Sequence, residues 1–147
     1  MYSSIDDMKK LLSESELLDL ADDAGSGSLD DDTVQAVLVE AIDAADREID
    51  AYVGTVQTVP LADPVPGLIA NISAKLAVNH LYLRRPGVVV PDSWEKESTR
   101  CHRLLESIAK GTIVIGAPAG ETADPDTSEV LVDAPRPVFS RNAWRGY

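Results

Sequence analysis

Between Thr33 and Val53 an apolar stripe runs through Val34, Leu38, Ala41, Ile42, Ala45, Ile49, Tyr52 and Val53. Steps of three and four place all eight on one face of a helix with 3.6 residues per turn. Asp43, Asp46, Arg47 and Asp50 fall mostly on the other side. Such a stripe needs a second apolar surface to cover it, and the other helical segments of the chain make that surface helical. Asp30, Asp31 and Asp32 supply a cap and a negative first turn, and Gly54 is a stop.

The rest of the chain provides the covering surfaces. Ser4-Ile5-Asp6-Asp7 reads as one short helix start, and Ser13-Glu14-Ser15-Glu16 is a capping box opening a second, expected through about Asp23 with Leu17, Leu18 and Ala21 inward. Gly25-Ser26-Gly27-Ser28 reads as a flexible loop. Pro60, Pro64 and Pro66 make Val59–Pro66 an extended connector. A helix from Gly67 to Arg84 follows, apolar over a wide arc through Leu68, Ile69, Ile72, Leu76, Ala77, Leu81 and Leu83, and is expected to be the central one. Pro86-Gly87 ends it. Asp92, read as a cap with Glu95 three residues on, opens a last helix to about Lys110. Its inner stripe is Trp94, Cys101, Leu104, Leu105 and Ile108, and Gly111 closes it.

After Gly111 the period changes. Thr112–Ile115 is short and β-branched, and Val130–Val132 is a second strand-like run. A short β-hairpin between them is left open. The expected fold is mainly α: three main helices plus two short N-terminal ones as a bundle domain over residues 1–111, then an extended C-terminal arm over 112–147.

Charge is segregated along the chain. Residues 1–50 carry fifteen Asp/Glu against three Lys/Arg, and residues 51–147 carry ten of each. An acidic half argues against binding nucleic acid, which needs a basic face. The final segment, Arg136 to Tyr147, has three arginines, no acid and three of the seven aromatics. Arg, Trp, Tyr and Phe are the types enriched at buried interface centres. Arg136, Phe139, Arg141, Trp144, Arg145 and Tyr147 are therefore expected to dock on another molecule. Asp43, Asp46 and Asp50 are expected either to be solvated or to meet arginines of a neighbour. That pairing would be a head-to-tail contact.

Enzyme chemistry is sparse. Gly25-Ser26-Gly27 lacks the Lys of a phosphate loop. Two histidines and one cysteine are too few for a zinc site. Asp30-Asp31-Asp32 lacks the remaining calcium-loop positions, and a cation on Asp43, Asp46 and Asp50 is the weaker reading of that face. Cys101 and His102 are adjacent and point about 100° apart on a helix, which is poor geometry for a nucleophile and its base. Neither a catalytic residue, a cofactor nor a metal is expected. No apolar run is long enough to span a membrane, and MYSSIDDMKK lacks the pattern of a signal peptide.

Several stretches share a family likeness: MYSSIDDMKKLLSESELLDLADD at the start, AIDAADREIDAYV at Ala41–Val53, VPLADPVPGLI at Val59–Ile69 and HLYLRR at His80–Arg85. CHRLLESIAKGTIVIG at Cys101–Gly116 and the closing FSRNAWRGY complete the set. In this order they resemble the Mu-like phage head–tail joining proteins, which are similar in plan to tailed-phage head-completion adaptors. The resemblance implies a non-catalytic virion protein at the neck, forming a twelve-fold ring between the portal and the next neck or tail-completion protein. DNA would pass through the ring without specific binding. The alternative reading is an acidic regulatory binder that mimics nucleic acid on a basic protein.

Overall fold

The computed structural model describes residues 1–85 and 87–115. Among these residues the protein is all-helical, with five helices: α1 Ile5–Lys9, α2 Glu14–Ala21, α3 Asp32–Val53, α4 Gly67–Arg84 and α5 Asp92–Ala109.

The two short helices are set by their caps. Ser4 and Ser13 each accept from the backbone N–H three residues on, while Asp7 and Glu16 reach back to the cap N–H groups. Both ends are reciprocal capping boxes, with Asp in the place of Glu at the first. α2 stops at Ala21, two residues earlier than expected, because the Asp22 carboxylate turns into the following loop. It accepts from Gly25 N–H at 2.7 Å and Gly27 N–H at 2.8 Å. Both glycines have φ near +70°, a conformation that costs a residue with Cβ dearly. The loop read as flexible is thus tied down. Leu20, with Leu17 and Ala21, is the inward residue of α2, and Leu18 is half-buried.

α3 supplies the stripe that the spacing requires: Val34, Leu38, Ala41, Ile42, Ala45, Ile49 and Val53 are buried, and Tyr52 packs half-buried at the edge. The connector contains two cis peptide bonds, Val59–Pro60 and Asp63–Pro64. α4 runs back along α3: Ser73 meets Asp46, and its last turns lie beside Val37, Glu40 and Ala41. It is the central helix, with nine buried residues. They include Ser73, Ala74, Val78 and Tyr82, which the apolar reading passed over, whereas Leu68 and Leu83 are exposed. A wide apolar arc cannot say which of its edges is covered; the neighbouring helices decide that.

α5 returns along α4, bringing Trp94 against Tyr82 (ring centroids 6.4 Å apart) and Glu97 against Lys75. Its cap is Pro91 rather than Asp92: Trp94 and Glu95 N–H both bond the Pro91 carbonyl, and Asp92 is the first helical residue. Asp92 still sits where the helix dipole favours a negative charge. Cys101, Leu105 and Ile108 are buried, and Leu104 is half-buried. Gly111, at φ +71°, follows the cap Lys110 in the left-handed conformation common past a helix end.

Thr112–Ile115 is not a strand. Thr112 and Ile113 N–H fold back onto the Ser107 carbonyl, and Ile115 is buried, its carbonyl held by the Gln57 side chain at 2.6 Å. The β-branched run is used to cover the end of the core. Val130–Val132, the expected partner strand, lies outside the described residues.

Candidate functional site

Polar chemistry gathers at two places on α3. The first is an anchorage for the N-terminal segment. Asp46 accepts from Tyr2 N–H at 2.7 Å and from the Ser73 hydroxyl at 2.6 Å. Ser3 and Ser73 hydroxyls, both buried, lie 2.7 Å apart. The Tyr2 hydroxyl donates to Asp50 and accepts from Leu61 N–H at 2.9 Å. One small constellation thus joins the first residues, α3, α4 and the proline connector. Tyr2 is buried, and its pKa is pushed up to about 12, first by burial and then by the Asp50 carboxylate it bonds. Ionising it would place a second negative charge against Asp50.

Asp43, Asp46 and Asp50, singled out as an outward acidic face, are all half-buried. They border an open cleft of about 290 Å³ together with Met1, Tyr2, Arg47 and Pro60. Asp46 and Asp50 work within the subunit, as acceptors for Tyr2 and Ser73. Tyr2 and Ser73 were missed because their partners lie 27 to 48 residues away in sequence. The one sequence signal was a serine in the otherwise apolar inner arc of α4.

The second place brings both histidines onto one carboxylate. Glu48 Oε2 lies 3.2 Å from His80 Nε2, and Glu48 Oε1 lies 2.6 Å from His102 Nε2. His102 Nδ1 faces the Ser98 carbonyl at 2.7 Å and the Ser98 hydroxyl at 3.5 Å. Ser, His and Glu side by side suggest a hydrolytic triad. Here, though, the nitrogen facing the Ser98 hydroxyl is also the one facing the Ser98 carbonyl, an acceptor. That nitrogen is a donor, not a base for the serine. Burial pushes the Cys101 thiol pKa up, which disfavours the nucleophilic thiolate. Among the described residues, no group of three His, Cys, Asp or Glu is arranged to hold a metal ion, and no helix is long and apolar enough to cross a membrane.

A third polar cluster ties the α2–α3 loop to the end of α4. Asp23 pairs with Arg84 and with Arg85, the latter at 3.2 Å, while Arg85 also donates to the Asp22 carbonyl at 2.7 Å. Arg136, Phe139, Arg141, Trp144, Arg145 and Tyr147 lie outside the described residues.

Fold and surface together define a small, acid-rich protein, all-α over the described residues, in which several carboxylates brace the helices. The chain belongs to the bacteriophage Mu Gp36 family: the family model matches residues 2–134, nearly its whole length. It is a Mu-like phage protein. The match ends before Arg136, so the closing FSRNAWRGY stretch lies beyond it. No curated protein matches the chain.

Proposed function

We propose that this protein is a structural virion component of a tailed phage or prophage, a head–tail connector that forms a ring at the neck between portal and tail. The observation that carries the reading is family membership over residues 2–134. The charge pattern of the chain supports it. Charge is segregated, with a net −12 in residues 1–50 and a balanced remainder ending in an arginine- and aromatic-rich segment. A closed ring needs contacts in which one patch meets a different patch on the next copy, and opposite charge at the two ends of a chain suits such contacts. In this reading Arg136, Phe139, Arg141, Trp144, Arg145 and Tyr147 dock on a neighbouring copy or on the portal. The Asp43, Asp46 and Asp50 face is one acidic surface they could meet, although Asp46 and Asp50 already accept from Tyr2 and Ser73. The protein acts by binding, without catalysis or cofactor, and DNA passes through the ring unread.

Truncation tests this. Phage carrying a subunit that lacks residues 136–147 should accumulate filled heads and free tails that fail to join, while the truncated protein stays folded. Infectious particles at normal yield would overturn the docking role. Concentrated full-length protein should also show annuli by negative-stain microscopy.

A further inference from the structure

Ile69, Leu76 and Leu83 fall at steps of seven along α4 and so lie on nearly one line of its surface. Ile69 and Leu76 are buried, whereas Leu83 is 64% exposed. The packing face of α4 thus runs past what the described chain covers. The α4–α5 turn widens the bare surface. Val88 N–H bonds the Arg85 carbonyl at 3.3 Å, and Val88 and Val89 are 39% and 85% exposed, while Val90 and Trp94 pack half-buried against the core. Exposed apolar side chains are ordinary one at a time; three gathered at one end of a bundle mark a contact surface.

The charges at this end decide what fits there. α3 begins where α4 ends, with Val37 and Glu40 beside Leu81 and Arg84, and α5 begins there too, with Trp94 against Tyr82. Arg84 and Arg85 are held by Asp23. The helix starts bring exposed carboxylates, Asp30 and Asp32 at α3 and Asp92 and Glu95 at α5, with Lys96 the exposed cation beside them. An apolar centre with an acidic rim suits a partner of opposite make, with aromatic rings to seat and guanidiniums to meet carboxylates. This chain carries such a segment in residues 136–147, with three arginines, three aromatics and no acid. The described chain leads toward it from the other end of the bundle. Ile115, the last described residue, is held by Gln57 just past α3, and the 18-residue α5 that separates the two ends is about 27 Å long.

We propose that the patch of Leu83, Val88 and Val89 is the seat for residues 136–147 of a neighbouring copy, so that each subunit gives its closing segment from one end and receives another at the opposite end. This rests on the ring reading above and fixes where one of its contacts lies. Burial of Phe139 and Trp144 against the three apolar side chains supplies the hold. Arg141 and Arg145, meeting the acidic rim, set the orientation and steer the approach. The giving and receiving surfaces differ, so two copies joined this way still leave one segment and one patch free, and the contact closes only through further copies.

The test uses full-length chains: a patch variant, Leu83→Lys with Val89→Lys, and a segment variant, Trp144→Ala with Arg145→Glu. Both patch positions are exposed, so the fold should hold. In sedimentation velocity, wild type should self-associate as its concentration rises, and each variant alone should do so at least about tenfold more weakly. Mixed in equal amounts at the same concentration, the two variants should form dimers and stop, because one intact segment meets one intact patch. A patch variant that associates like wild type would overturn the seat while leaving the ring reading in place. So would a mixture that stays monomeric, since the segment then seats on its own subunit or on a different protein such as the portal. Wild type that remains monomeric at every concentration would sink the ring reading and the seat together. Hydrogen exchange on wild type alone covers the case of a patch variant that misfolds. Protection at residues 87–90 should rise as the protein associates, and protection that stays level there in the associated protein refutes the proposal.

Discussion

Replacing Tyr2 with Phe removes one oxygen and keeps the ring in place, so it isolates the polar half of the N-terminal anchorage. The hydroxyl is lost from two bonds, as donor to Asp50 and as acceptor from Leu61 N–H at 2.9 Å. A hydrogen bond to a charged group contributes about 1.5–3 kcal/mol, and the half-buried Leu61 N–H can turn to water, so the expected cost is about 2 kcal/mol. With a urea slope of about 2 kcal/mol/M, the unfolding midpoint should fall by about 1 M at pH 7. The same oxygen gives a pH signature. Its pKa stands at about 12 in the folded protein against an ordinary 10.0. The folded state therefore holds the phenol proton more tightly than the unfolded chain does. The resulting stability is complete below pH 10 and is lost as pH rises through 12, a change of about 2–3 kcal/mol. The gap between wild type and Tyr2→Phe should hold constant up to about pH 10 and close by about pH 12. Subtracting the two curves removes the titration of lysines and of Tyr82, which both proteins share. An unchanged midpoint at pH 7, or a gap that persists at pH 12, would refute the argument that this hydroxyl braces the fold.

Leu105→Ala should cost about 2–5 kcal/mol in urea unfolding, since the side chain is fully buried where α5 meets the core. Ser73→Ala should cost about 1–3 kcal/mol by the same assay, because it leaves the half-buried Asp46 without one donor and removes the buried partner of Ser3. The Asp7 carboxyl is held at about 2, below its ordinary 3.8, first by Lys10 and then by the Ser4 cap. Its contribution is present above pH 3.8 and lost as pH falls through 2. The stability difference between wild type and Asp7→Asn, followed by exchange protection in α1, should vanish over that window.

Local signals were legible in the sequence, and long-range polar ones were not. The stripe from Val34 to Val53, the prolines before Gly67 and the serine caps at Ser4 and Ser13 depend on residues within one or two turns. Their helices begin and end within about two residues of the expected places. Pro91 displaced Asp92 as the cap because both residues fit a helix start and spacing alone cannot rank them. Thr112–Ile115 carried strand propensity, but the described chain gives it no partner strand, and it folds against the end of α5 instead. The Tyr2, Asp46 and Ser73 cluster and the Glu48, His80 and His102 cluster were unreadable for one physical reason. Each pairs side chains 27 to 54 residues apart, and a polar residue on a helix flank looks the same whether water or another helix will meet it.

That distinction changes how the acidity of the first fifty residues is understood. A net charge of −12 over residues 1–50 invites a picture of a uniform negative surface made for a basic partner. Much of it is instead structural. Asp7, Glu16 and Asp31 cap helices, Asp22 ties a loop, Asp23 holds two arginines of α4, and Glu48 joins three helices. Asp46 and Asp50 secure the first residues of the chain. An arginine from a neighbouring copy that reached Asp46 or Asp50 would compete with Tyr2 and Ser73 for the same oxygens. Docking there would therefore disturb the anchorage and weaken the contact it makes. Exposed carboxylates such as Glu14, Asp19, Asp30, Asp32 and Glu40 carry less of that cost. In the proposed ring, the α2 region and the first half of α3 are thus better placed than the second half of α3 to receive a guanidinium-bearing arm. Charge reversal at Asp30 and Asp32 should impair assembly while leaving the fold intact, whereas reversal at Asp46 should unfold the subunit first.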